Sequence, residues 1–169
     1  PVFAPDEPDS PDAVTFSYFH VLGASMRPRV NTATVTYDGL GCAHMTGGDG
    51  FATFPVTIPD GSLLRYVRLY FCDSDAAGDV NAYLYEFDPP GGTFTEHLLL
   101  PSGSSAGCDT VLSADLNYTV SNSRALALLV GSSDANEQYC GIRVAYYLPY
   151  IFRDGFGTGD PGRWSSYTP

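Results

Sequence analysis

The chain predicts an all-β fold, an antiparallel β-sandwich of jelly-roll or immunoglobulin-like type with about eight strands and two disulfides. Three observations predict it. Apolar residues alternate with period two and never settle into a helical period. Turn residues interrupt that alternation at intervals of about 8–12 residues. Four cysteines stand far apart in an acidic chain rich in Gly and Pro.

The elements follow in order. Residues 1–13 hold four prolines and four acids and read as an extended N-terminal tail, with Pro1 as a terminus left by processing or trimming. The sandwich spans 14–148. Val14 to Leu22 alternates as a first strand and stops at Gly23; Thr32 to Tyr37 is a second, stopped by Asp38-Gly39. Phe51 to Ile58 is a third, and Pro55 marks it as an edge or a bulge. Pro59-Asp60-Gly61-Ser62 is a turn in which Pro presets φ. Leu64 to Cys72 and Val80 to Phe87 read as a hairpin joined by an Asp/Gly-rich loop. On these strands Val67, Leu69, Phe71, Val80, Ala82 and Leu84 face the core, and Tyr66, Tyr70, Tyr83 and Tyr85 share the opposite face. Thr93 to Leu100 is a further strand, and Ala125 to Val130, apolar on both faces, a strand in mid-sandwich. Tyr139 to Leu148 closes the core. Residues 149–169 lose the alternation and form a Gly/Pro-rich C-terminal tail with the only tryptophan, Trp164.

Composition excludes several classes. Nineteen acids oppose eight bases, all arginine, giving a net charge of −11. Such a chain repels nucleic acid, and no apolar run is long enough for membrane insertion. Without lysine, Schiff-base chemistry and Lys–Asn cross-links are closed to it. Cys42, Cys72, Cys108 and Cys140 form no CxxC pair and no zinc spacing with histidine. They read as two disulfides formed in an oxidising compartment, hence a secreted, extracellular or cell-surface protein. Spacing leaves all three connectivities open.

Segments Phe16 to Arg29, Tyr37 to Cys42, Leu64 to Asp73 and Cys140 to Tyr146 resemble a group of uncharacterised secreted bacterial β-sandwich proteins. That resemblance implies that Cys42 pairs with Cys140, which leaves Cys72 with Cys108 as an added pair, and it carries no activity. Ile151 to Ser165 is similar to the FxDGFExGDxxxWS tail of secreted bacterial proteins, although Gly157 replaces its usual acid. Such tails imply sorting or surface attachment.

Catalytic chemistry finds little support. HExxH and HxH are absent from the sequence. His20 and His97 fall in strand-like segments, and His44 lies in a Gly-rich loop near Asp49, where a metal role ranks behind a plain loop histidine. Glu86 and Glu96 are the acids in or beside strands, a thin basis for a glycosidase dyad. Asp73, Asp75 and Asp79 raise calcium, but the loop lacks an EF-hand's full ligand set and reads as a turn. No cofactor is expected. Asn117-Tyr-Thr119 is the one N-glycosylation sequon, with Ser102, Ser104 and Ser105 as an alternative O-linked cluster.

The tyrosine face is the most informative feature. Tyr66, Tyr70, Tyr83 and Tyr85, with Arg68 among them, suit protein interfaces or stacking on sugars, or else complete the core. The first expectation is a structural protein, a surface or filament subunit that self-assembles by exchanging terminal strands, with Val14 to Leu22 or the tail from Phe152 to Trp164 as donor. The alternative is a carbohydrate-binding module that takes polysaccharide on the tyrosines. A secreted hydrolase comes third, and the chain is read as no enzyme.

Overall fold

The computed structural model describes residues 15–74, 78–89, 91–103, 106–132 and 136–149. The two expected tails and Asp75, Ser104 and Ser105 lie outside the described residues, apart from Pro149.

The described residues form an antiparallel β-sandwich, as the alternation requires. Its strands are β1 (Ser17–Leu22), β2 (Arg27–Pro28), β3 (Ala33–Gly39), β4 (Cys42–Gly47), β5 (Phe51–Val56), β6 (Leu63–Asp73), β7 (Asn81–Phe87), β8 (Phe94–Pro101), β9 (Gly107–Leu112), β10 (Tyr118–Thr119), β11 (Ala125–Gly131) and β12 (Glu137–Tyr147). A seven-stranded sheet, sheet A, runs β10-β6-β12-β4-β3, with β1 also on β12 and β9 also on β6. Sheet B runs β2-β5-β11-β7-β8. Pro55 sits where β5 has a ladder on one side, to Ala127, while β2 reaches only Ala52 and Thr53. A proline therefore costs no hydrogen bond there.

The core lies between the sheets. Val67, Leu69 and Phe71 of β6 and Ile142 and Val144 of β12 meet Ala82 and Leu84 of β7 and Leu128 and Val130 of β11. Each fully buried aliphatic side chain contributes about 1.5–3 kcal/mol. Buried serine hydroxyls tie the layers. Ser132 Oγ accepts from the Met45 amide at 3.0 Å. Ser102 Oγ accepts from Val80 N at 3.0 Å and donates to Asp73 Oδ2 at 3.1 Å. Ser102 is thus buried and engaged, which removes it from the expected O-linked cluster.

Both disulfides are formed, Cys42–Cys140 and Cys72–Cys108. Each bridges neighbouring strands of sheet A, β4 to β12 and β6 to β9, and Cys140 Sγ lies 3.8 Å from Cys72 Sγ.

Two expectations are corrected. Strands β6 and β7 are not a hairpin: β6 pairs with β12, β9 and β10 in sheet A, while β7 pairs with β11 and β8 in sheet B. The chain therefore changes layer between β6 and β7. The proposed donor strand is also in use, since β1 is paired from Ser17 to Leu22 with β12 of its own chain. Donation of Val14 to Leu22 loses the observation that motivated it, and the route through Phe152 to Trp164 lies outside the described residues.

Candidate functional site

The pleat of β7 turns Ala82, Leu84 and Glu86 inward and Tyr83, Tyr85 and Phe87 outward. Neighbouring strands extend this outer face of sheet B. Phe51 of β5 meets Tyr83 edge-on at 5.7 Å between centroids; Tyr83 and Tyr85 stand 5.6 Å apart. Tyr85 meets Phe94 of β8 at 4.9 Å and Phe87 at 6.1 Å. The five rings make one continuous row across the sheet. Beneath it, β11 supplies Ala127 opposite Tyr85 and Gly131 opposite Phe51. Gly131 leaves room for the ring, because a Cβ on it would come within 2.9 Å of the Phe51 ring.

Polar groups fix the rings. The Arg29 guanidinium lies 4.4 Å from the Phe51 centroid, and its Nε donates to Asp49 Oδ2 at 2.7 Å. Burial pushes the Asp49 carboxyl up, but the hydrogen bonds from Arg29 and the Phe51 amide outweigh it and hold the group below its ordinary value. The Tyr85 hydroxyl donates to Glu96 Oε2 at 2.9 Å. Burial, then that carboxylate, push the Tyr85 phenol up to about 12, so both tyrosines of the row are neutral hydroxyls at neutral pH.

At its Phe51 end the row opens into a cleft of about 410 Å³. Phe51 and Tyr83 form its aromatic wall, and Asp49, Asp79 and Asn81 supply oxygens and an amide. The turn 47–50 builds the other wall. Gly48 has φ +61°, and a Cβ on it would fall 2.5 Å from Ala33 Cβ, so this close turn admits only glycine. Ring faces pack against the C–H face of a sugar, while carboxylate and amide groups pair with its hydroxyls.

The four expected tyrosines therefore divide. Tyr83 and Tyr85 belong to this row. Tyr66 and Tyr70 stand on the outer face of sheet A, so no single platform holds all four. Phe51, Phe87 and Phe94 escaped the sequence reading because their strand neighbours were unknown.

The remaining candidates fall elsewhere. Glu86 is buried between the sheets: Tyr118 donates its hydroxyl to Oε1, while Arg124 Nη1 and His97 Nε2 approach Oε2 at 3.0 and 3.3 Å. Glu96 lies on the opposite face with Tyr85, so the two glutamates share no site. His44 is buried with Nδ1 2.8 Å from Asp38 Oδ2, not beside Asp49. Among the described residues, the one group with metal-ligand proximity is Cys42, Cys72 and Cys140, and these sulfurs are disulfide-bonded. Asp73 is buried, and Asp79 is exposed in the cleft. Asn117 is exposed at φ +46° ahead of β10.

Comparison with family models finds no match, and comparison with curated proteins finds none. Among solved structures, the chain is similar to a Podospora anserina GH26-CBM35 β-(1,4)-mannanase, with 14% identity and a TM-score of 0.49 over 78% of this chain and 28% of that one. It is similar to an exo-β-1,3-galactanase of Phanerochaete chrysosporium solved with galactose, at 16% identity and a TM-score of 0.44 over 78% of this chain and 30% of that one. A family 6 carbohydrate-binding module matches at 9% identity and a TM-score of 0.43, over 78% of this chain and 92% of that module. The chain thus spans less than a third of the first two. Likenesses this distant carry no argument about what it binds.

Proposed function

We propose that this domain binds carbohydrate, without turning it over, on the outer face of sheet B. The observation that supports this is the row Phe51–Tyr83–Tyr85–Phe94 leading into a cleft with Asp49, Asp79 and Asn81. A flat apolar row with polar groups at one end suits a polymer with an apolar ring face and a hydroxylated edge. Rings on a sheet are held by the backbone ladder, so little order is lost when ligand binds. Binding without hydrolysis is supported by the separation of Glu86 and Glu96 onto opposite faces of sheet B, so the two glutamates first weighed as a glycosidase dyad cannot act together. An extracellular setting is supported by the two disulfides.

The test is affinity electrophoresis through gels loaded with neutral polysaccharides, followed by calorimetry on the one that retards the protein. One stacked ring is worth about 0.5–1.5 kcal/mol beyond its buried area. Tyr83→Ala or Tyr85→Ala should weaken binding roughly threefold to tenfold. Retardation by no polysaccharide, or full affinity in the double variant, would end this reading.

A further inference from the structure

The two disulfides of sheet A are in contact with each other. Their cysteines stand on four successive neighbours in the sheet, β4, β12, β6 and β9. Cys72 and Cys108 are direct cross-strand partners, and Cys72 also pairs with Gln138 of β12. Opposite β6, the ladder of β12 shifts register between Tyr139 and Gly141, and Cys140 is the residue left over. A bulge of this kind re-aims a side chain. Here it brings Cys140 Sγ to 3.8 Å from Cys72 Sγ, and the sulfurs of Cys42, Cys72 and Cys140 all lie within 4.8 Å of one another.

Exposure ranks these sulfurs. Cys108 is exposed, Cys72 and Cys140 are half-buried, and Cys42 is buried. A thiol arriving from solvent therefore meets Cys108 first, and attack there makes Cys72 the leaving group, already against Cys140. The alternative bridge Cys72–Cys140 spans 68 residues, against 98 for Cys42–Cys140. Loops so similar differ by only about 1.7-fold in the chain-entropy model. Their mechanical effects differ more. Strand β4 pairs with β12 at one position, Ala43 with Tyr139, so Cys42–Cys140 is the covalent tie between them. Strands β6 and β12 already pair from Asp73–Glu137 to Leu63–Tyr147, and a bridge there joins nothing new.

We propose that the four cysteines form a thiol–disulfide relay, in which a thiol captured at Cys108 moves the second bridge and unties β4 from β12. An incoming thiolate attacks Cys108 Sγ, forming a mixed disulfide, and the Cys72–Cys108 bond breaks to release Cys72 as a thiolate. That thiolate attacks Cys140 Sγ. The Cys72–Cys140 bond forms, the Cys42–Cys140 bond breaks, and Cys42 leaves as a thiolate that takes a proton from water. Two disulfides and one thiol enter and two disulfides and one thiol remain, so no further oxidant or reductant is consumed. The relay is independent of what the face of sheet B binds.

The test treats the native chain briefly with glutathione at a pH of about 8.5, where an ordinary thiol is half ionised. Acid quenching, alkylation of free thiols and peptide mapping without reduction then locate every sulfur. Molecules carrying glutathione on Cys108 should hold a Cys72–Cys140 bridge and an alkylated Cys42. Cys108→Ser supplies the Cys72 thiol with no reagent added. Its alkylation should divide between Cys72 and Cys42 within about tenfold, as loops of similar length require, and at a rate independent of protein concentration. A native-like circular dichroism transition checks that this variant folds, and the experiment on the native chain stands without it. Glutathione on Cys108 with Cys42–Cys140 intact, or alkylation of folded Cys108→Ser confined to Cys72, overturns the relay. So does first attack at Cys42 or Cys140, or exchange that quickens with protein concentration, which assigns it to collisions between molecules.

Discussion

The buried Glu86 cluster is a lock between the two sheets, and its removal has a calculable cost. Glu86 and His97 come from sheet B, Tyr118 from β10 of sheet A, and Arg124 from the approach to β11. Burial pushes the Glu86 carboxyl up, but hydrogen bonds from Tyr118, Arg124 and His97, with the Arg124 charge, hold it below its ordinary value. Glu86→Gln keeps the shape and removes the charge. A hydrogen bond to a charged group is worth about 1.5–3 kcal/mol and a neutral one about 0.5–1.5, so each of the Tyr118 and His97 contacts loses about 1 kcal/mol. Arg124 is 44% exposed, also pairs with Asp88, and adds little. Relief of the carboxylate's burial opposes these losses, leaving a net cost of about 1–2 kcal/mol. For a domain of this size that lowers the unfolding midpoint by roughly 3–8 °C. The pH dependence has a fixed sign. A carboxyl depressed in the folded state stabilises above its unfolded value near 4.3, and that stability is lost as pH falls through the lower folded value. Thermal unfolding of native protein and Glu86→Gln, followed by circular dichroism from pH 7 to pH 2.5, should show a gap at pH 7 that closes in acid. A gap that is absent at neutral pH, or constant down to pH 2.5, would refute the reasoning.

Two further outcomes follow from the geometry. Cys42→Ser/Cys140→Ser opens a loop of 98 residues and Cys72→Ser/Cys108→Ser one of 36; the chain-entropy model gives about 4.7 and 3.8 kcal/mol, so in denaturant titration the first variant should be the less stable. Gly131→Ala should push the Phe51 ring off β11 and weaken binding to the neutral polysaccharide more than it changes the unfolding midpoint, as read by calorimetry beside thermal unfolding.

Much of the fold was legible before any coordinates. Period-two alternation placed Val67, Leu69 and Phe71 inward and the tyrosines outward, and the structure keeps every one of those assignments. Strand β4 was missed because its flanks, Gly39 to Gly41 and Gly47 to Gly50, read as loop; β9 was missed because its exposed residues bury too little to alternate. The pairing of the cysteines was not in their spacing; the family resemblance implied it and the structure agrees.

The sequence by itself determined which side of each strand faces oil and which faces water, because a side chain's partition depends on its own chemistry and a fixed pleat. It could not determine which strands are neighbours. A strand with one apolar face satisfies that pattern equally beside its successor in one sheet or opposite it across the core. Only the tertiary structure decided that the chain crosses between layers after Asp73. That crossing sends Tyr66 and Tyr70 to one outer surface and Tyr83 and Tyr85 to the other. It turns one expected tyrosine platform into two separate faces, since distant strands supply Phe51 and Phe94 to the second and Tyr18 to the first.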